Sequence, residues 1–443
     1  MAFSAAMTVE KGGIDPPHPM RPASGEERVA IGRVLPLYLI VYVGFVGYSL
    51  MIAIFTPLLL RPDGGMLPRH DSVATRSIVL GLVLALYPLA QFVAAPVIGG
   101  LSDRFGRRRT LLVSLAASTG CYAVIAIAVQ SRTLALLIVG CLLAGLSEAN
   151  IAVAQSAIAD LAPPAQRSRL FGYVYLSSSL AYVVGPLAGG RLADKGLVSW
   201  FDYATPFWAT VILLACVFAL TARLFRETAT PRGDEGVRLT HAFASLADAF
   251  RAGSLRRLYL ANFVLYLAIF GFFRVYPMYL VNRFHMTVSR ESLYVAWVAV
   301  PIVAANAGIV GWLARRMTPL RTLTIGTGVL AIVMATIVIP SSEGPLWVTL
   351  GATALVLAVL LPAAATIISE AAQAEEQGRA LGSNQSLQVG AEAVAGLGGG
   401  VLAAIANVLP LSAMAALSAV ACVGYRRARP GSASAEPAAA PRG

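Results

Sequence analysis

The chain holds 443 residues, 57% of them apolar and only 13% charged, with a mean hydropathy of +0.73. Soluble domains run near half apolar and a quarter charged, so a disordered chain, a nucleic-acid module and an ordinary cytosolic enzyme are excluded. The net charge of +12 comes from 34 Lys and Arg against 22 Asp and Glu. These basic residues fall in the gaps between apolar runs, where they orient a chain in a membrane; the pattern implies membrane lipid as the surroundings and no nucleic-acid partner.

A helix needs about 20 apolar residues to cross a bilayer. Twelve runs qualify: 34–60, 78–101, 110–130, 133–159, 169–192, 204–225, 257–282, 291–314, 321–340, 345–369, 380–406 and 408–425. The polar stretch before Val34 carries no secretory signal. If the N-terminus lies inside, the inside loops and adjoining run edges hold 25 Lys and Arg and the outside ones 8, with Arg274 alone deep within a run. The positive-inside rule then places both termini in the cytoplasm. The expected fold is an all-α membrane protein of twelve transmembrane helices in two six-helix halves. The expected organisation is a cytoplasmic segment 1–33, a first half 34–225, a linker 226–256, a second half 257–425 and a disordered Ala/Pro/Ser-rich tail 426–443. Within the linker, Leu239, Phe243, Leu246 and Phe250 recur at helical spacing, which predicts an amphipathic helix on the inner membrane surface.

The halves resemble one another. At a shift of 210 residues Asp160 falls on Glu370, Arg169 on Arg379, Gly172 on Gly382, Leu187 on Leu397, Gly189 on Gly399 and Gly190 on Gly400. Two related halves are the sequence mark of a transporter built from repeats. Four cysteines (Cys121, Cys141, Cys216, Cys422) lie inside apolar runs without metal-ligand spacing and read as small packing residues. The four histidines fall in loops, and no nucleophile–base pair, metal cluster or phosphate loop is present, so neither an enzyme nor a cofactor is expected.

The loop after the second run reads Gly99-Gly100-Leu101-Ser102-Asp103-Arg104-Phe105-Gly106-Arg107-Arg108-Arg109. Gly106 permits a tight reversal, and Asp103 can cap a helix N-terminus or pair with Arg104 or Arg107. This stretch closely resembles the signature of the major facilitator superfamily, Gly-x-x-x-Asp-Arg-x-Gly-Arg-Arg. The resemblance implies a conformational latch at Gly99, Asp103, Arg104, Gly106, Arg107 and Arg108 that holds one state of two rocking halves. The equivalent loop of the second half, near Gly311 and Arg315-Arg316, has lost the acid. Gly185-Pro186-Leu187-Ala188-Gly189-Gly190 resembles the antiporter motif of the drug:proton antiporters in that superfamily; Pro186 kinks the helix and Gly185, Gly189 and Gly190 allow close packing. Two positions depart from that pattern: Ala181 replaces a glycine, and Cys141 stands where relatives carry an Arg in the fourth span. Asp160, Arg167 and Arg169 flank Pro163-Pro164 and read equally as gating ion pairs or helix caps.

Glu148, Arg274 and Glu392 are the charged residues deepest within apolar runs. Each costs about 2.5–3.5 kcal/mol at the bilayer centre unless it finds a partner or water. Each lies on a polar stripe: Glu148 and Gln155 with Asn150 nearby; Asn262, Tyr266, Phe270 and Arg274; and Gln385, Gln388 and Glu392. The superfamily resemblance implies that spans 1, 4, 7 and 10 line the central cavity. Glu148, with Glu392 behind it, is then the candidate proton carrier. Arg274 is the candidate anion contact because its planar fork suits a carboxylate or phosphate. Tyr38, Tyr42, Tyr48 and Gln91 are candidate cavity-lining residues. The implied function is alternating-access, proton-coupled efflux of a small organic molecule by a monomer in the plasma membrane of a bacterium. The other reading is transport of an anionic metabolite or carboxylate-type siderophore anchored on Arg274.

Overall fold

The computed structural model describes residues 31–161, 167–228, 255–372 and 377–428. Twelve helices are long and apolar enough to span a membrane. In chain order, spans 1 to 6 are Val34–Leu60, Val73–Phe105, Arg107–Gln130, Leu134–Leu161, Leu170–Leu192 and Thr205–Leu224. Spans 7 to 12 are Arg256–Phe284, Val288–Ala314, Pro319–Thr336, Leu346–Ala371, Ala380–Ile405 and Leu409–Arg427. Each agrees with an apolar run of the sequence to within a few residues, because run length alone fixes a span. The predicted amphipathic helix around 239–250 and the predicted tail lie outside the described residues.

Two helices are interrupted where their apolar runs are continuous. Span 4 breaks at Glu148-Ala149, between helical pieces Leu134–Ser147 and Asn150–Leu161. There the Ile151 amide turns back three residues to the Glu148 carbonyl at 3.2 Å, and the Gln91 amide donates to that same carbonyl at 3.3 Å. Span 8 carries a π-helical turn at Ala305–Ile309. Such turns open the backbone ladder, and hydropathy is blind to them.

The buried apolar side chains form two cores. One is built almost wholly from spans 1 to 6, with Met278, Val281, Val288 and Ala403 joining it from the second half; the other draws on spans 7 to 12. The halves meet along span 2 against span 11 and span 5 against span 8. A Cβ on Gly81 would lie 2.7 Å from the Gly396 carbonyl and 2.8 Å from the Gly400 Cα. One on Gly190 would lie 2.5 Å from the Ser292 Cβ. Eighteen residues make five full helical turns, about 27 Å, and return to the same face. At that interval lie Gly99 from Gly81, Gly172 from Gly190 and Gly382 from Gly400, and a Cβ on any of these three meets nothing within 4 Å. Span 2 against span 11, and span 5 against span 8, are therefore pressed together at one end, called the seam here, while spans 2, 5 and 11 have open space beside them at the other, which carries the Asp103 loop. Gly172 with Gly382, and Gly190 with Gly400, are the pairs the internal repeat superimposes, so both halves use the same device.

At the seam end the loop after span 1 is tied by Arg76, which is 1% exposed. Its guanidinium donates to the carbonyls of Leu59, Arg61, Pro68 and Asp71 at 3.1, 3.2, 2.6 and 3.3 Å. It thereby satisfies the end of span 1, where the helix leaves carbonyls unpaired.

Gly81→Ala forces a methyl into backbone and should cost about 1–3 kcal/mol by overpacking, whereas Gly99→Ala should be neutral. Thermal unfolding of the two variants in detergent checks this contrast: the first should melt lower and the second at the wild-type temperature.

Candidate functional site

At mid-height the two halves share a buried polar cluster. Arg274 of span 7 is 1% exposed, and its Nη2 donates to Glu392 Oε1 of span 11 at 2.8 Å. Tyr48 of span 1 joins both: its hydroxyl accepts from Arg274 and donates to Glu392. The guanidinium carbon sits 5.1 Å from the centre of the Tyr48 ring. A buried guanidinium needs this many partners, since each unpaired charge in a lipid-facing bundle is expensive.

The cluster continues into the first half. The Tyr48 ring stacks on Tyr87 of span 2 at 4.8 Å and meets the Tyr182 edge of span 5 at 6.4 Å. The Tyr87 hydroxyl donates to Glu148 Oε2. Glu148 is 2% exposed and sits at the break in span 4. Its Oε1 has no close hydrogen-bond partner, and the Tyr122 hydroxyl reaches the same pocket beside it. A carboxylate without a counter-ion is costly to bury, so this pocket accommodates the proton-bound form. Two carboxyl groups therefore stand at the ends of one chain of side chains, Glu148–Tyr87–Tyr48–Glu392, with Arg274 closing the far end.

Glu148, Arg274 and Glu392, singled out in the sequence, thus fall in one cluster. Gln91 touches it through the Glu148 carbonyl. Asn150 is buried just past the break, and Tyr42, Gln155 and Phe270 are half-buried. The span 7 stripe divides. Asn262 Nδ2 donates to the Ala364 carbonyl at 2.9 Å and to the Asn384 side-chain Oδ1 at 2.8 Å, and Asn262 Oδ1 accepts from the Tyr425 hydroxyl at 2.6 Å. Asn384 donates to the Tyr266 hydroxyl at 2.7 Å. Asn262 and Tyr266 are 0% and 1% exposed; in this state they knit spans 7, 10, 11 and 12 together and offer a ligand no surface. Tyr87, Tyr122 and Tyr182 were not read from the sequence. Tyr87 had a signal, since it lies one helical turn before Gln91; the other two became visible only with the packing.

The Asp103 loop is clamped within the first half. Arg107 pairs with Asp103 at 2.6 Å and with Asp160 at 3.2 Å. Arg108 donates to the Phe225 and Ala222 carbonyls at 2.8 and 2.7 Å. The acid that caps span 3 is Glu227, not Asp103: its carboxylate accepts from the Arg107 and Arg108 amides at 2.8 and 3.0 Å. Gly106 has φ +93, and a Cβ there would lie 2.4 Å from Glu227, so only glycine lets the carboxylate reach the helix end. Arg104 lies over the Phe105 ring at 5.2 Å. The side chains of Arg167 and Arg169 lie outside the described residues. Of the antiporter-like motif, Gly185 and Gly189 face Ser49 and Leu50 of span 1, and Gly190 faces span 8; Pro186 lies within span 5.

Two halves of six membrane-spanning helices, joined at one end and sharing a buried charged cluster at mid-height, define a membrane transporter. Residues 34–358 match the Major Facilitator Superfamily, and the chain belongs to that superfamily. It is 31% identical over 317 residues to the tetracycline resistance protein class G of Vibrio anguillarum, covering 69% of this chain and 76% of that one. It is 39% identical over 171 residues to the class C protein of Escherichia coli, covering 39% of this chain and 40% of that one, less than half its length. Among solved structures, the human organic anion transporter MFSD10 superimposes with a TM-score of 0.65 at 20% identity, covering 89% of this chain and 99% of that one. An inward-facing, unoccupied bacterial homologue of the human lysosomal transporter Spinster superimposes with a TM-score of 0.67 at 15% identity, covering 91% and 99%. These two likenesses show the fold.

Arg274→Leu alone should destabilise by about 3–5 kcal/mol, because it strands Glu392. The double variant Arg274→Leu/Glu392→Leu should recover most of that loss. The melting temperatures of the purified variants check this; equal loss in both would show that the pair is not the partner each charge requires.

Proposed function

We propose that the chain is a proton-coupled exporter of a small organic molecule of the tetracycline class, working by alternating access. The observation that carries this reading is Glu148: a buried carboxyl at a helix break, met by tyrosine hydroxyls and by no cation among the described residues. It can hold a proton while buried and release it when water or a cationic substrate group arrives. The tetracycline resistance proteins it resembles supply the substrate class. The basic loops put both termini, the linker and the Asp103 end in the cytoplasm, so the described state is open toward the inside and the seam closes the outside. In this scheme the Arg107–Asp103–Asp160 clamp keeps the first half rigid as the halves rock, and the chain acts as a monomer in the inner membrane, without a cofactor and without covalent chemistry.

The second reading is an anionic substrate held by Arg274. Arg274 is the one described cation at the centre of the bundle, which favours it. An anion would have to displace Glu392 from the guanidinium, and this makes it the weaker of the two.

Proteoliposomes containing a pH dye and challenged with tetracycline separate the readings. Wild type should couple drug movement to an opposing proton flux. Glu148→Gln should lower that coupled flux at least tenfold while leaving drug binding measurable. Drug transport without proton movement, or a wild-type rate in Glu148→Gln, would remove Glu148 from the coupling step.

A further inference from the structure

Glu291 lies in the first turn of span 8, at the edge of its apolar run, and the structure buries it completely. It is 0% exposed, and neither carboxylate oxygen has a close hydrogen-bond partner. The Ser292 hydroxyl beside it, 1% exposed, lies near enough to donate to the carboxyl but carries no charge. This is where the halves touch: Ser292 packs on Gly190 of span 5, and the Arg61 guanidinium reaches the Met286 carbonyl across the seam at 3.4 Å.

The ionisable groups around Glu291 do not neutralise it. From span 7 it faces Tyr276, and from the loop between spans 5 and 6 it faces Tyr203. Beyond Tyr203 lie Arg61, Asp63 and Asp194. Arg61 is taken up by Asp63 through two hydrogen bonds of 2.9 and 2.8 Å, which hold the Asp63 carboxyl below its usual range. Asp194 accepts from the Gly196 amide at 2.9 Å. On its own helix, Arg290 turns away to Glu343 at 2.6 Å, and the Thr287 hydroxyl accepts from the Arg290 amide at 3.4 Å. A carboxylate sealed here would carry an uncompensated charge, whereas the acid form is neutral.

We propose that Glu291 is a second proton-binding site, separate from Glu148, that gates the seam. The seam closes over Glu291 as the neutral acid. When spans 5 and 8 part, water reaches the carboxyl and takes the proton; on closure the proton returns from that water. Because the closed seam binds one more proton than the open seam, raising the pH opens it, and lowering the pH closes it. The site adds a conformational response to pH at the end of the bundle away from the Asp103 loop, and it stands whether or not Glu148 couples transport.

The test uses the full chain in nanodiscs, with its four cysteines replaced by alanine and spin labels at Leu197→Cys and Ser342→Cys, exposed positions on the two halves at the seam end. Pulsed electron paramagnetic resonance reads the ratio of open to closed seam against pH. The background carries Glu148→Gln, so that site contributes nothing. In that background the open-to-closed ratio should rise by up to tenfold per pH unit, the limit for one linked proton. Adding Glu291→Gln should flatten the profile in the closed form. Glu291→Asp, which restores a carboxyl, should restore the response with a displaced midpoint. A flat profile in Glu148→Gln alone would overturn the proposal, as would an unchanged profile when Glu291→Gln is added.

Discussion

The cost of burying charge shapes the middle of this protein. Arg274 and Glu392 both belong to the second half and neutralise each other at 2.8 Å. The first half reaches that pair through one tyrosine, Tyr48, by its hydroxyl and by its ring. Glu148 belongs to the first half and finds its donor, Tyr87, in the same half. Each half therefore carries its own compensated groups. In the proposed alternating access, what parts from the pair is one hydroxyl and one aromatic face, both of Tyr48, not a bare ion pair, so the rearrangement avoids the several kcal/mol that separating buried charges would cost.

The same economy governs the helices. The seam is made of glycines that let backbones touch, and five turns further along the same faces lie glycines with open space. In the proposed alternating access, a pair of long helices in contact at one end and apart at the other acts as a lever, and small residues at both ends would let either end close. The clamp at the Asp103 loop complements this. It joins spans 2, 3, 4 and 6 of the first half through Arg107, Arg108, Asp160 and Glu227, making that half a unit that can tilt without bending.

The sequence carried the architecture because lipid imposes a simple rule: an apolar run of sufficient length must become a span. All twelve runs, the repeat glycines and the three deepest charges could be read that way. What hydropathy could not show were features set by packing. The break at Glu148-Ala149 and the π turn at Ala305–Ile309 sit within stretches whose average hydropathy reads as one continuous span. Glu291 stands at the polar edge of the eighth apolar run, and its burial comes only with the packing of the halves. Glu227 sits outside the signature motif, so its capping of span 3 required the chain to return from the end of span 6. Asn262 and Tyr266 share the stripe with Arg274, yet the partners of that stripe come from spans 10, 11 and 12, which periodicity on one helix does not reveal.

In the proposed mechanism, substrate and proton compete at Glu148. The most direct measurement is proton release on binding, made with purified protein in weakly buffered detergent solution containing a pH indicator. Adding tetracycline to wild type should release protons in proportion to the drug bound, and Glu148→Gln should bind the drug with no such release. Binding to wild type without proton release, or equal release from Glu148→Gln, would contradict the account.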